Sequence, residues 1–292
     1  MTKNLLITAV TLILLLNNVR GYSIEGITIQ VLDVGQGDAI VIRTNDDKYI
    51  LIDGGPGELV MEQLGKVMPF WQKTFDLVVA THGDADHISG LVEVMNRYKV
   101  NVFVYNGDQK NTDVFTELMR RADSHNVRVE EANAGKDIQV GCCLNLDLLW
   151  PSMKKQNSEL VGNDSSIAFV MSYENFDMYF AGDLAFKYEE EMLNMVPRDV
   201  EVMKLSHHGS KTSTSKELLE LLTPEKAIVS VGKDNTYGHP SNEVLDSIRA
   251  TGAAIHRTDE EGIITISTNG NSFYVVSEAK RNNWVSRLSG QR

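Results

Sequence analysis

At 292 residues and 42% hydrophobic content, the chain can bury a full core, which excludes a disordered polypeptide and suits one α/β domain. A formal charge of −12 and a pI near 5.1 exclude long-range attraction to a polyanion, so such a substrate would depend on bound metal or clustered lysines. The two cysteines, Cys142 and Cys143, are neighbours; at about 3.8 Å their Cα atoms lie inside the usual spacing of a bridge, so no disulfide is expected to staple the fold.

The chain opens on Met1-Thr2-Lys3-Asn4, an apolar run from Leu5 to Leu16 and a polar stretch ending at Gly21, the layout of a signal peptide. The run falls short of the roughly 20 apolar residues of a membrane span. Residues 1–21 are therefore expected to be a cleaved signal or a short anchor, which places the protein outside the cytoplasm, secreted or attached to the membrane. Strand-like runs rich in β-branched residues follow at 27–33, 39–43 and 49–53 and form an antiparallel opening. A helix over 59–68, a buried strand over 75–80 and an amphipathic helix over 88–98 come next, then strand 100–105, helix 112–124 and strand 126–130. A second strand-rich block covers 144–150, 165–173 and 177–181. Helices and strands alternate from there to Val231, before a helix over 241–251 and a hairpin over 262–277 turned by Thr268-Asn269-Gly270-Asn271. Residues 22–280 read as one domain and 281–292 as a solvated tail. Two β-rich halves, each ending in helices, predict two sheets face to face with helices outside.

The strongest chemical signal is Thr81-His82-Gly83-Asp84-Ala85-Asp86-His87, where a buried strand gives way to a helix. Imidazole and carboxylate are the usual donors for Zn, Mn or Fe, and a tight loop at a strand end holds them convergent at low entropic cost. Helix capping accounts for one of the aspartates and leaves the other three residues without a role. Five of the seven histidines, His82, His87, His207, His208 and His239, fall in three short segments, while His125 and His256 stand alone and read as structural.

His82-x-Asp84-x-Asp86-His87 resembles the His-x-His-x-Asp-His signature of the metallo-β-lactamase superfamily, with Asp84 in place of the second histidine. Asp53 in Leu51-Ile52-Asp53-Gly54-Gly55 matches the superfamily's early aspartate, and Asp183 in Phe180-Ala181-Gly182-Asp183 its metal-bridging one. Asp33-Val34-Gly35-Gln36-Gly37-Asp38, Asn163-Asp164-Ser165-Ser166, His207-His208-Gly209-Ser210 and Tyr237-Gly238-His239-Pro240 jointly resemble the extracytoplasmic hydrolase domain of the DNA-uptake channel ComEC and its stand-alone relatives. The resemblance implies an αββα four-layer sandwich and two divalent metal ions, Zn or Mn. His82 and Asp84 would hold the first ion, Asp86 and His87 the second, with Asp183 between them. Asn163 or Asp164 stands where the superfamily has a third first-metal histidine. At least one of His207, His208 and His239 would complete the second site; His207 and His239 are assigned to metal, and His208 with Lys211, Asp86 and Asp183 to catalysis.

Around these, Asp53 is expected to support the ligand loop, and Asp33, Asp164 and Ser210 to line substrate or brace ligands. The 33–38 segment is open to two readings: a tight glycine turn capped by Asp38, or a loop from which Gln36 and Asp38 reach the metals. Lys204, Lys211, Lys216 and Lys233 form either a solvated face or a phosphate groove. The function implied is a phosphodiesterase, foremost a DNase, using a metal-activated hydroxide. Hydrolysis of a small ester, lactone or lactam, and a non-catalytic module stabilised by metal, are the alternatives.

Overall fold

The computed structural model describes residues 26–152, 160–196 and 199–281. The N-terminal segment 1–21 and residues 282–292 of the expected tail lie outside them. Among the described residues no helix is long and apolar enough to cross a membrane.

Two sheets face each other. The first has the order β15 (Phe273–Ser277), β14 (Ile264–Thr268), β1 (Ile27–Val31), β2 (Ile40–Arg43), β3 (Tyr49–Ile52), β4 (Thr74–Ala80), β5 (Lys99–Tyr105), β6 (Arg128–Glu131). The second runs β13 (Ala254–Arg257), β12 (Lys226–Val229), β11 (Val202–Lys204), β10 (Phe176–Phe180), β9 (Ala168–Tyr173), β8 (Leu144–Trp150), β7 (Ile138–Val140). Strands β3 to β6 are mutually parallel, as are β10 to β13, and the remaining pairs are antiparallel.

Alternation within strands decides which layer each side chain joins. Ile40 and Ile42 of β2, and Ile50 and Ile52 of β3, enter the core between the sheets, with Phe169 and Phe180 from the opposite sheet. Val41 and Leu51, the odd partners, face outward and meet α1 (Leu59–Val67), α2 (Ala85–Arg97) and α3 (Asp113–Ser124) through Leu64, Leu91 and Leu118. A third apolar layer packs α4 (Glu189–Met192), α5 (Lys216–Leu222) and α6 (Asn242–Thr251) on the second sheet through Met192, Leu219 and Ile248. Three apolar layers between four structural ones make the αββα sandwich; a short α7 (Thr258–Glu261) precedes β14.

Three sequence expectations are corrected. The strand expected over 165–173 begins with a 3₁₀ turn, Gly162–Ser165, and becomes β9 only at Ala168. Strand β7 was not expected, because three residues at a sheet edge leave no readable alternation. Cys142 and Cys143, despite their short Cα spacing, are joined as a vicinal disulfide in the exposed turn between β7 and β8, which staples no distant parts of the chain.

Candidate metal centre

The loops that leave the C-terminal ends of parallel strands converge at one edge of the sandwich. Strand β3 delivers Asp53, β4 the 81–87 loop, β10 Asp183, β11 the 205–210 turn and β12 Ser230. Such strand ends are where α/β sheets expose backbone and side chains for chemistry.

Asp53 is fully buried and organises the first loop. It accepts from the Thr81 amide at 2.8 Å and the Thr81 hydroxyl at 2.7 Å, and its Oδ2 also takes the Nδ1 side of His87 at 2.8 Å. The Thr81 hydroxyl, having donated to Asp53, can only accept from His82 Nδ1 at 3.1 Å. On the opposite wall, His208 Nδ1 donates to the Ser230 carbonyl at 2.9 Å. With Nδ1 engaged in each ring, three imidazoles turn Nε2 toward the same point.

At that point no internal hydrogen bond meets them. His82 Nε2, His87 Nε2, His208 Nε2, Asp183 Oδ1 and Asp38 Oδ1 are buried without a hydrogen-bond partner, which would be costly unless a cation fills the gap. His82, His87 and Asp183 bring ligand atoms within 4.8 Å of one another, as do Asp86, His87 and His208, and Asp38, Asp183 and His208. Tetrahedral coordination with bonds near 2.1 Å needs donors about 3.4 Å apart. His87 Nε2 to Asp183 Oδ1 is 3.3 Å, His208 Nε2 to Asp183 Oδ2 3.5 Å, and His208 Nε2 to Asp86 Oδ2 3.6 Å. The donor set and its spacing fit a divalent ion. His82 is looser, its Nε2 3.9 Å from Asp84 Oδ2 and 4.0 Å from Asp183 Oδ2.

The electrostatics express the same demand. Burial pushes the Asp183 carboxyl up, but the His208 and His87 rings outweigh it and hold it well below the usual range. Burial would lower His87, yet Asp183 and Asp53 on either side raise it well above an ordinary imidazole. His82 is driven well down by burial and by neighbouring His87. A cation bound here would take the place of the proton that His87 otherwise retains.

The backbone is bent to achieve this. His207 and His208 are consecutive left-handed residues with φ of 48° and 55°, and Asp53 has φ of 56°, a conformation that costs about 1–3 kcal/mol each for non-glycine residues and gathers at functional sites. Gly37, at φ 127°, lies where a Cβ would collide with the Asp86 carbonyl, so the 33–38 loop braces the ligand turn directly.

The structure sorts the sequence candidates. His82, Asp86, His87 and Asp183 converge, with Asp53 behind them. Of the three histidines left unordered by sequence, His208 turns inward: the double left-handed turn aims successive side chains apart, and Ser230 anchors the inner one. His207 stays at the rim, 3.4 Å from the Asn163 amide nitrogen and 3.8 Å from Asp183, and His239 meets it edge-on while stacking with exposed Tyr237. Of the 163–164 pair, Asn163 faces the rim, whereas the Asp164 carboxylate accepts from Lys187 and Tyr188.

Within the 33–38 loop, Asp38 joins the cluster, Gln36 receives the Gly232 amide and Asp33 closes its own turn on Gly35. Ser210 bonds to Thr212, and Lys211, Lys216 and Lys233 are exposed. Lys204 belongs to neither a solvated face nor a groove: it is buried, and its ammonium holds Asp38 at 2.8 Å. The sequence reading missed Lys110, which pairs with Asp84 from the loop after β5. No spacing links residues 84 and 110. Lys204 did leave a signal, as one cation inside the apolar run Val202-Met203-Lys204-Leu205.

The sequence profile of the metallo-β-lactamase superfamily matches residues 32–128. ComE operon protein 3 of Bacillus subtilis is 30% identical over 255 residues, 81% of this chain and 32% of its own length. Competence protein ComA of Neisseria gonorrhoeae is 28% identical over 243 residues, again 81% of this chain and 31% of its own. The chain thus spans about a third of the length of these curated relatives. Among solved structures, Zn(2+)-bound PqqB from Methylobacterium extorquens superposes with a TM-score of 0.57 at 10% identity, covering 82% of this chain and 100% of that one, a likeness of fold.

Proposed function

Because the chain is a member of the metallo-β-lactamase superfamily, related over most of its length to ComE operon protein 3 and competence protein ComA, we propose that it is a metal-dependent phosphodiester hydrolase acting on DNA. The observation that carries this reading is the convergence of three buried Nε2 atoms without a hydrogen-bond partner on the buried Asp183 and half-buried Asp86 carboxylates. The competence relationship directs the substrate toward nucleic acid. A divalent ion held there supplies an activated water and neutralises charge on a phosphoryl oxygen.

The chain's own residues do the rest. Asp86, His87, His208 and Asp183 would hold the ion, and Asp53, through His87 and Thr81, fixes the ring orientations. Zn and Mn both suit these donors, and the wider arm of His82 and Asp84 is where a second ion of a dinuclear centre would lie. His207, Asn163 and His239 form a polar rim able to donate hydrogen bonds to a phosphodiester and to place a proton on its leaving oxygen. With a net charge of −12, binding would rest on this local site, not on the global field. On the same reading the chain works outside the cytoplasm, released or anchored through residues 1–21.

The test loads the purified protein with Mn²⁺ or Zn²⁺ and follows single- and double-stranded DNA and bis-p-nitrophenyl phosphate beside nitrocefin and a small lactone. Phosphodiester cleavage abolished by EDTA and by His208→Ala is the expected result. Turnover of the lactam or lactone alone would overturn the reading in favour of an acyl hydrolase.

A further inference from the structure

The outer arm of the cluster pairs Asp84 with a lysine, Lys110, that the hydrolytic reading leaves unused. Lys110 lays its stem over Gly83, with Cδ and Cβ 3.1 and 3.2 Å from where a Cβ on residue 83 would stand. Its ammonium seats on Asp84 Oδ1, the two side chains 29% and 34% exposed. Asp84 occupies the N-cap position of α2 yet makes no capping bond, so its carboxylate is committed to the lysine and not to the helix.

Three further observations bear on what that ammonium replaces. Five carboxylates surround the centre: Lys204 holds Asp38, Lys110 holds Asp84, and Asp53 is engaged by Thr81 and by the Nδ1 side of His87. Asp86 and Asp183 face only the Nε2 atoms of imidazoles and no ammonium, and their combined charge equals that of a single divalent ion. Spacing separates the same two regions. Three donor pairs among Asp86, His87, Asp183 and His208 lie 3.3 to 3.6 Å apart, against 3.9 and 4.0 Å from His82 Nε2 to Asp84 and Asp183, and about 3.4 Å is what tetrahedral coordination asks. The residue facing the rim beside that wider side is Asn163, an amide next to His207 and a poor ligand beside imidazole.

We propose that Lys110 stands in for a second metal ion: the centre holds one divalent ion tightly at Asp86, His87, Asp183 and His208, while the Lys110 ammonium on Asp84 closes the position beside His82. This rests on the metal-site reading above and not on the identity of the substrate. The expected two-ion centre thereby becomes one ion and one fixed ammonium, with the positive charge at the outer position supplied by the chain itself.

The test measures Mn per chain by elemental analysis after loading and desalting, together with the EPR signal, in the wild-type protein, Lys110→Met and Asp84→Asn. One uncoupled ion per wild-type chain, and a second, spin-coupled ion gained in Lys110→Met, is the expected outcome. Asp84→Asn should keep the single ion. Two ions in the wild type, no gain in a folded Lys110→Met variant, or loss of the only ion in Asp84→Asn would each overturn the proposal. Circular dichroism establishes that the variants are folded. Occupancy is read without substrate, so failure of the phosphodiesterase reading in the hydrolysis assay leaves this result standing, and a wild type that binds no metal sinks both.

Discussion

Replacing Asp53 by asparagine separates the positioning of the ligands from the ligands themselves. In the native protein Asp53 Oδ2 accepts from both Thr81 Oγ1 and His87 Nδ1, while Oδ1 accepts from the Thr81 amide. An asparagine can keep its carbonyl on the Thr81 amide, but its NH₂ then faces His87 Nδ1 and must donate to it. The His87 proton moves to Nε2, the atom that points at Asp183 from 3.3 Å, and that nitrogen loses its lone pair for metal. Loss of such an orienting partner costs about 10- to 100-fold in metal affinity, or roughly 1.4–2.7 kcal/mol. Stability should fall less than the two disrupted bonds suggest. Burial raises the Asp53 pKa despite the help of His87, so removing this buried charge offsets part of the loss and leaves a net cost of about 1–3 kcal/mol. Competition with a chelating dye reports the affinity, and thermal melting in EDTA reports the fold. A folded Asp53→Asn variant with wild-type metal affinity would refute this account of ligand orientation.

Removing the buried cation in Lys204→Met strands the Asp38 carboxylate at 3% exposure, which should cost about 3–5 kcal/mol in urea unfolding, with much of the loss restored by adding Asp38→Asn. Gly37→Ala should lower both melting temperature and metal affinity, because its φ of 127° and its approach to the Asp86 carbonyl leave no place for a methyl group. Tyr105 gives a pH dependence: burial and its hydrogen bond to Glu131 push the phenol up to about 12 from 10.0. The folded chain thus keeps a proton that the unfolded chain releases, so this contribution is present below pH 10 and is lost as pH rises through about 12. Melting followed across that window should show an alkaline loss that Tyr105→Phe lacks.

The fold was legible wherever periodicity was clean. Ile40-Val41-Ile42 and Tyr49-Ile50-Leu51-Ile52 are apolar throughout because both faces are covered, one by the opposite sheet and one by helices. The 81–87 segment was legible as a metal loop because four donors in a short stretch have no common structural use, and Asp53 because an aspartate ending an apolar strand needs a partner. The order of His207, His208 and His239 was not legible. It depends on two consecutive left-handed residues and on the Ser230 carbonyl, and neither backbone handedness nor a contact 22 residues away leaves a local pattern. Lys110 escaped for the same reason: its pairing with Asp84 arises from the parallel register of β4 and β5, which sets their following loops side by side.

Anomalous diffraction at the manganese edge from crystals of the Mn-loaded protein tests the central claim most directly. The account places the strongest peak between Asp86, His87, Asp183 and His208, with Lys110 still on Asp84. A peak bound through His207 and His239, or no peak among those four side chains, would contradict it.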